Sequence, residues 1–430
     1  MKKFTEFMEK SFVPVAAKIG SQRHLVAIRD GFIGIMPITM AGAIAVLINV
    51  FVRDLPNKYL VDKEGETSAI AESMAWLIGI NGNVWWGTIA MLALMFSFAL
   101  GYQLAKSYDV NALAGGLVSV ASFITVLPQG VPGTWGNIPY AWTNSGGLFT
   151  ALIMGLITVQ IYVFLMKKNV TIKMPDAVPP AVAKAFAAIV PGTIAIYVAG
   201  IIQYLFTTNF EGITVAEKIL EWVQAPFLEL SQGLFSVLVI IIFVQLFWFF
   251  GLHGPNVLAP LLEGIYKTAL TENTNAYNAG KDLPYIWTRG SFDAYVWMGG
   301  SGATITLLIA IFIFSKVEEA RAVAKLSFAM GCFNINEPVI FGLPIVLNPI
   351  YFIPWMLVPV VMTLIAYFVT QMGLVPPVAI EVPWVLPPVL YAILATGGSI
   401  TAGLLAAFNL LVATVLWAPF VLIANKMSAE

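Results

Sequence analysis

Charge is the property this sequence has least of. Only 10% of the 430 residues are charged, and 22 Lys and Arg nearly balance 23 Asp and Glu. A soluble globular chain carries roughly 25% charged residues, whereas here 59% of the residues are hydrophobic. The shortage of charge excludes a water-soluble enzyme. The near-zero net charge excludes a basic field that would attract nucleic acid.

Cysteine, histidine and several familiar motifs are also scarce or missing. The one cysteine, Cys332, cannot form an internal disulfide and is expected to be a small buried hydrophobe. No Cys/His cluster has metal-ligand spacing, so we expect no metal and no other cofactor. The sequence contains no P-loop, HExxH or GxSxG motif, no arginine ladder and no TVGYG filter. These absences favour a polytopic carrier for a neutral ligand.

Long hydrophobic runs are abundant. A helix needs about 20 apolar residues to cross a bilayer, and eight stretches qualify: 28–52, 85–105, 147–166, 184–206, 232–252, 294–314, 345–370 and 401–424. Two more, 112–127 and 254–270, are short. Lys and Arg in short loops stay on the cytoplasmic side, and the basic clusters share one side only if both short stretches cross. We therefore predict ten crossings with both termini in the cytoplasm.

The predicted fold class is an all-α polytopic membrane protein with two irregular apolar segments. Residues 329–343 and 371–400 are apolar but are interrupted by Pro, Gly, Asn and Glu. Non-helical backbone at membrane depth is tolerated only where protein or a water-filled cavity covers it, so both segments are predicted to be re-entrant or discontinuous segments that line a site. Residues 4–18, 169–183 and 213–229 mix charges, prolines and apolar residues, which favours interfacial amphipathic helices or linkers. The N-terminal segment lacks a signal-peptide pattern and is expected to belong to the mature protein.

Ionisable and amide side chains within the apolar runs are the candidate functional residues, because burying them in a membrane is costly. His253 lies in GLHGPN, Glu337 lies in NINEP with Asn334 and Asn336, and Glu381 lies in AIEVPW. Glu337 could instead cap the helix that Pro338 begins, and His253 could be a satisfied buried histidine. A His and a Glu are, however, the minimum set for activating an alcohol by general base action.

Aromatic residues close to these positions suggest a ligand with apolar ring faces. Trp248, Trp297 and Trp384 lie near His253, the GGSG turn at 299–302 and Glu381, respectively. Indole rings stack on the apolar faces of sugars, although interior packing alone would also explain each tryptophan. Arg29 and Asp30, adjacent in the first span, are interpreted as a salt bridge or as snorkelling side chains.

Two motifs resemble a known transporter family. GLHGPNVLAP at 251–260 and NINEPVIFGLPIVLNP at 334–349, together with the opening FMEKSFVPVAAKIGSQRHLVAIRDGF, resemble the membrane EIIC component of the bacterial phosphoenolpyruvate-dependent sugar phosphotransferase system. The resemblance is to the lactose/cellobiose/diacetylchitobiose family and covers nearly the whole chain. It implies a homodimer in the cytoplasmic membrane, in which each chain spans the membrane ten times and has two re-entrant hairpins.

The resemblance also implies a domain plan. Residues 1–168 would form an N-terminal membrane domain with the dimer contact, and 169–183 an amphipathic linker. Residues 184–231 would supply the fifth span and an interfacial connection, and 232–430 the sugar-binding transport domain with broken helices.

The implied function is vectorial phosphorylation. Such proteins carry a disaccharide inward and present its C6 hydroxyl to a phosphocysteine on a separate cytosolic EIIB, which EIIA recharges. The catalytic pair would be His253 and Glu337. The expected substrate contacts are Asn334, Asn336, Asn256, Gly254, Trp248, Trp297, Trp384 and Glu381.

The working hypothesis is that Glu337, Asn334 and Asn336 bind sugar hydroxyls while His253 positions or deprotonates the C6 hydroxyl. Glu337 could act as an ionised acceptor or as a protonated donor. An ion-coupled sugar symporter, with Glu337 or Glu381 as the ion site, is the alternative; an intramembrane enzyme is less favoured. The choice among diacetylchitobiose, cellobiose and lactose stays open, because small pocket changes switch such preferences; general likeness favours diacetylchitobiose or cellobiose.

Overall fold

The chain folds into α-helices. The computed structural model describes residues 18, 21–61, 67–130, 134, 136–175, 177–343 and 345–427. Within these ranges there is no β-strand, and short 3-10 or π segments join several helices. The all-α prediction is confirmed for the described part of the chain.

The first half of the chain contains both long and very short helices. In chain order the described α-helices up to residue 231 are α1 (Arg23–Asn49), α2 (Leu55–Tyr59), α3 (Ala69–Ser73), α4 (Ala75–Gly87), α5 (Leu92–Ser107), α6 (Ala112–Thr125), α7 (Tyr140–Thr143), α8 (Leu148–Lys167), α9 (Pro180–Asn209), α10 (Val215–Ile219) and α11 (Ala225–Ser231). Segments of π-helix over Val50–Asp54 and Leu220–Gln224, and 3-10 turns over Ile89–Met91 and Ser145–Gly147, connect some of them.

The second half is more often interrupted. Its described α-helices are α12 (Leu234–Phe249), α13 (Gly254–Val257), α14 (Ala259–Leu261), α15 (Lys267–Asn278), α16 (Arg289–Tyr295), α17 (Thr304–Phe314), α18 (Glu318–Cys332), α19 (Glu337–Gly342), α20 (Pro349–Gln371), α21 (Leu390–Ala395) and α22 (Ile400–Met427). A π segment over Leu262–Tyr266 joins α14 to α15. The predicted break in 329–343 separates α18 from α19, and the predicted break in 371–400 separates α20 from α21 and α22.

Two compact units divide the chain. The N-terminal unit contains the described residues of Ile19–Gly42 and Asn83–Glu229, and the C-terminal unit contains Lys18 and the described residues of Ala43–Gly82 and Leu230–Glu430. The boundary between the two units at 229–230 lies close to residue 232, the predicted start of the transport domain. Residues 43–82 group with the C-terminal residues, however, and not with the predicted domain 1–168. The hydroxyl of Tyr59, for example, donates to the carbonyl of Gly398 over 2.8 Å.

Close helix packing holds the N-terminal unit together. A Cβ on Gly115 would lie 2.4 Å from the Cβ of Ala105, and one on Gly101 would lie 2.5 Å from the Cβ of Ser119. The hydroxyls of Ser97 and Ser119 also hydrogen-bond, over 3.1 Å. Small residues and hydroxyl pairs of this kind let membrane helices approach where the hydrophobic effect gives no preference for helix contact over lipid. The α5 and α6 helices are therefore packed backbone against backbone.

Within the described residues, six helices are long and apolar enough to cross a membrane. They are Arg23–Asn57, Ala75–Ser107, Ser145–Lys167, Pro180–Asn209, Ile350–Gln371 and Ile400–Asn425, and a seventh candidate joins Val215–Ser231 to Leu234–Phe249. The helix over the predicted span 112–127 is apolar but shorter, at Ala112–Thr125. Many large apolar side chains on these helices are exposed, among them Leu404 and Leu411. A multi-pass membrane protein follows, while the count of ten stays a prediction.

Two of the predicted spans are not continuous helices. In 254–270, Pro255 and Pro260 fall at the starts of α13 and α14, and a π segment follows. Proline lacks an N–H and fits only the first helical turn, so each one restarts the helix. In 294–314, Gly299 and Gly300 have φ of +80° and +100°, so a turn separates α16 from α17. Hydropathy alone indicates neither interruption, although the GGSG sequence at 299–302 was expected to form a turn.

The three predicted interfacial segments differ in structure. Residues 4–17 lie outside the described residues. The segment 213–229 is helical over α10, a π segment and the beginning of α11, and it begins with a capping box formed by Thr214 and Glu217. The segment 169–183 is irregular until α9 begins at Pro180, with residue 176 outside the described residues.

Candidate functional site

A backbone break after α12 presents His253. Gly251, with φ of +78°, reverses the chain, and His253 then takes an extended conformation before α13. A Cβ on Gly254 would lie only 2.2 Å from the carbonyl oxygen of Val244, so the returning chain packs directly on α12. No residue other than glycine fits there without a shift, which explains the GLHGPN sequence in physical terms.

One nitrogen of the His253 ring is already occupied. Nδ1 accepts a hydrogen bond from the backbone N–H of Asn256 over 3.2 Å. A neutral imidazole that accepts at Nδ1 carries its proton on Nε2, so Nε2 is the donor atom of the ring. The ring of Trp248 lies 4.5 Å from it, centroid to centroid. His253 is half-buried, and Glu337 is close enough to contribute to its electrostatic environment.

Asn334 forms hydrogen bonds to two other loops. Its backbone has a positive φ of +62°, which Asn tolerates better than most residues. Nδ2 donates to the carbonyls of Trp384 over 2.6 Å and Leu386 over 2.9 Å, while Oδ1 accepts from the N–H of Gly299 over 2.8 Å. Both amide protons are therefore used within the protein.

Asn336 and Glu337 differ in exposure although they are adjacent. Asn336 is buried, and its Nδ2 donates to the carbonyl of Ser301 over 2.9 Å. A Cβ on Gly300 would lie 2.5 Å from Cγ of Asn336, so the amide is packed against the glycine turn. Glu337 begins α19 with Pro338 in the first turn, and its side chain is exposed. Glu337 is the residue of this motif that a ligand can reach.

Glu381 belongs to a buried ionic network that sequence reasoning missed. Its Oε1 pairs with Nζ of Lys267. Nearby, Arg289 donates from Nε to Glu263 over 2.9 Å and from Nη1 to Asp293 over 2.6 Å. The partners are up to 114 residues apart along the chain, so no local pattern pairs them. Charged residues within apolar stretches, as at Glu263, were the available signal.

The three tryptophans occupy different environments. Trp297 is 4% exposed, stacks on Phe292 with ring centroids 4.9 Å apart, and lies 5.2 Å below Cζ of Arg289. Trp248 is equally buried, beside His253. Trp384 is 41% exposed, so part of the residue is accessible. Only Trp384 is open enough to stack on a ligand in this conformation.

The predicted site residues thus fall into three groups, all in the C-terminal unit. His253 lies with Trp248, Gly254 and Asn256 at the α12 break. Asn334 and Asn336 secure the turn at 299–302 and the carbonyl of Trp384, next to the exposed Glu337. Trp297 and Glu381 contact the ionic network. Across the described ranges, no group of three or more His, Cys, Asp or Glu residues could hold a metal ion.

The comparisons with known proteins all point to one family. The family model for the phosphotransferase system EIIC matches residues 29–359. The cellobiose-specific EIIC component of Lactococcus lactis is 42% identical over 99% of both chains, and the oligo-beta-mannoside-specific EIIC component of Bacillus subtilis is 36% identical over 98% of this chain and 94% of its own. The crystal structure of ChbC, the IIC component of an N,N'-diacetylchitobiose-specific phosphotransferase system, superposes with a TM-score of 0.89 at 35% identity, covering 98% of each chain.

Proposed function

Because the chain belongs to the EIIC family of the phosphotransferase system, we propose that it carries a disaccharide of the cellobiose or diacetylchitobiose class into the cytoplasm. The whole-length similarity to a cellobiose-specific EIIC component is the observation that carries the proposal. The fold of the diacetylchitobiose-specific protein supports the same ligand size. Family membership disfavours the alternative of an ion-coupled symporter.

The proposed reaction is phosphorylation of the sugar at its C6 hydroxyl by phospho-EIIB. The hydroxyl oxygen bonds to phosphorus, the phosphorus–sulfur bond of the EIIB phosphocysteine breaks, and the hydroxyl proton moves to a base. Glu337 suits the base because its carboxylate is exposed and lies near His253. His253 suits a positioning role, because its cap hydrogen bond leaves Nε2–H as a donor toward the same oxygen.

The remaining site residues receive two kinds of role. Asn334 and Asn336 hold the loops that carry Glu337, since their amide protons already bind backbone carbonyls. Asn256 and Trp384 are exposed and suit sugar contacts, the first by hydrogen bonding and the second by ring stacking.

The proposed assembly is the one that the resemblance to the family implies. We propose a homodimer in the bacterial cytoplasmic membrane with ten crossings and cytoplasmic termini, served by a separate EIIB that EIIA recharges. The exposed apolar side chains on α1, α9 and α22 support a lipid or subunit environment for these helices.

Direct binding tests the proposal. Purified protein is incubated with radiolabelled diacetylchitobiose, and unlabelled cellobiose and lactose serve as competitors. We expect saturable binding without sodium or a pH gradient, displaced best by one disaccharide. Absence of binding by folded protein, or binding only with an ion gradient present, would refute the proposed ligand class or the proposed energy source.

A further inference from the structure

Five helices begin or end close together at one end of the N-terminal unit. The ring of Tyr108, directly after α5, has its centre 4.7 Å from Cζ of Arg23, the first residue of α1. The ring of His24 hydrogen-bonds through Nε2 to the side-chain oxygen of Gln160 on α8 over 3.1 Å. These contacts place the start of α1, the end of α5 and the last part of α8 side by side.

Asn111 connects the other two helices to this end. It caps the start of α6, and its carbonyl accepts a hydrogen bond from the hydroxyl of Tyr162 on α8 over 3.2 Å. Its Nδ2 donates to the carbonyl of Lys184 on α9 over 3.4 Å. Tyr162 and Lys184 therefore lie at a similar depth. Lys167, the last residue of α8, lies about 8 Å further out, because an α-helix rises about 1.5 Å per residue.

This end of the unit carries an excess of unpaired positive charge. Exposed lysines lie on these helices or directly after them, at Lys106, Lys167, Lys168 and Lys184. Within the described residues none of these lysines forms an ion pair. The segments 106–111 and 160–190 contain five lysines and two aspartates, which leaves an excess of three positive charges. An anion is therefore the expected partner of this surface.

Exposed apolar side chains lie on the membrane side of the lysines. Phe164 is 57% exposed and lies one turn before Lys168, whose Nζ is 6.0 Å from the centre of the Phe164 ring. On α9, Phe186 and Ile189 follow Lys184 and are also exposed. A phospholipid has the same order of groups, with a charged phosphate at the membrane surface and apolar chains below it.

We propose that this end of the N-terminal unit binds anionic phospholipids such as phosphatidylglycerol. Lys167, Lys168 and Lys184 hold the headgroup phosphate, and an acyl chain packs on Phe164 and Phe186. Membrane orientation requires only that basic residues stay on one side, whereas these lysines also lack carboxylate partners and lie next to exposed aromatic rings. Basic pockets between transmembrane helices bind anionic headgroups. All residues of the lipid site belong to the N-terminal unit, so the proposal is independent of the sugar site.

A lipid titration tests the proposal. Purified protein in a neutral detergent is titrated with phosphatidylglycerol or with phosphatidylcholine, and native mass spectrometry measures the bound lipid. We expect wild-type protein to bind phosphatidylglycerol about tenfold more tightly or more. The combined substitutions Lys167→Gln, Lys168→Gln and Lys184→Gln should bring the two affinities within about threefold of each other. Arginine at the same three positions keeps the charge and should keep the preference.

A matched control removes the same charge from the C-terminal unit. Lys281→Gln, Lys316→Gln and Lys325→Gln, combined in one variant, change exposed lysines and should leave the lipid preference as in wild type. Thermal unfolding within a few degrees of wild type shows that each variant is folded.

Equal affinity of the wild-type protein for the two lipids would overturn the proposal, as would an unchanged preference in the variant of Lys167, Lys168 and Lys184. Displacement of phosphatidylglycerol by inorganic phosphate would also contradict it, since that result indicates a site for small anions. A variant that keeps its lipid preference but loses EIIB-dependent phosphorylation would assign this surface to protein docking instead. An equal loss of preference in the control variant would show that net charge, and not this surface, selects the lipid.

Discussion

At the scale of single residues, His253 and Glu337 have different chemical capacities. The cap hydrogen bond to Asn256 fixes the neutral His253 ring with its proton on Nε2, while Glu337 has an exposed carboxylate. A proton acceptor and a proton donor near one hydroxyl can orient it and remove its proton. The two residues should therefore respond differently to amide substitution.

Replacing Glu337 by Gln should separate binding from phosphotransfer. The amide cannot accept the hydroxyl proton, so we expect EIIB-dependent phosphorylation to fall by about 10²-fold or more. Disaccharide affinity should fall by about tenfold at most, the value of one or two hydrogen bonds. Equilibrium binding and single-turnover phosphorylation measure the two effects. A variant that phosphorylates at the wild-type rate would remove Glu337 from the role of base.

Replacing His253 by Gln should have a milder effect. Gln can donate from Nε2 and accept from the Asn256 N–H, so a positioning role is partly retained. We expect phosphorylation to slow by about tenfold, corresponding to about 1.4 kcal/mol of misplaced hydrogen bonding. A loss as large as that of the Glu337 variant, with binding intact, would show that His253 is the base. His253→Ala, which removes both hydrogen bonds, provides the comparison.

Buried amides offer a stability test of the packing around α12. Gln245 is fully buried, and neither of its amide atoms has a hydrogen-bond partner in the described part of the chain. Asn409, also fully buried, donates to the carbonyls of Tyr295 and Met362. We expect Gln245→Leu to raise the free energy of unfolding by about 1 kcal/mol, because an unsatisfied amide is removed.

Asn409→Leu is the matched variant for Gln245→Leu and should act in the opposite direction. It removes the Asn409 donor from both carbonyls, so we expect a loss of about 2 kcal/mol. Thermal unfolding in detergent gives both values. Destabilisation of the same size in both variants would mean that Gln245 has partners in the membrane-embedded protein.

At the scale of elements, glycine positions show where a helix packs closely against a neighbour and where it has no close neighbour. A Cβ on Gly115 would collide with Ala105 across the α5–α6 contact, whereas one on Gly79 in α4 would meet nothing within 4 Å. Gly115→Ala should therefore lower the thermal midpoint by several degrees, as overpacking costs about 1–3 kcal/mol. Gly79→Ala should leave it unchanged or raise it slightly, since Ala is the better helix former. Equal effects would contradict the close packing of α5 on α6.

Elements also show where sequence reasoning succeeds and fails. Long apolar runs predict α1, α5, α8, α9, α20 and α22, because burial in lipid requires an uninterrupted apolar surface. Hydropathy alone does not indicate the breaks within 254–270 and 294–314, because both stretches are apolar on average. Their Pro and Gly residues were the available signals. Proline at a helix start and glycine at positive φ act locally, and hydropathy averages do not register them.

The sequence predicted part of the candidate site. Asn334, Asn336 and Glu337 stand out because polar side chains are rare in apolar sequence. The sequence could not tell which amides serve the backbone and which side chain is exposed, because that depends on loops 35 to 52 residues away. The ionic network was missed because its members pair only through tertiary contacts.

At the scale of the whole molecule, the proposed transport draws its energy from phosphoryl transfer and not from an ion gradient. In the proposed function, the chain supplies the sugar site and the pathway, and the energy comes from the phosphoryl group on EIIB. A carrier of this kind traps sugar by changing it, because the charged product cannot return through a membrane. The proposed product inside is therefore the phosphorylated sugar, whatever the sodium or proton gradient.

Uptake into proteoliposomes tests this central claim most directly. Protein reconstituted with radiolabelled cellobiose or diacetylchitobiose outside, and with EIIB, EIIA and a phosphoryl donor system inside, should accumulate the sugar 6-phosphate. Accumulation should stop when EIIB is omitted and should persist when ionophores collapse the ion gradients. Accumulation of unmodified sugar that requires an ion gradient and not EIIB would contradict the account.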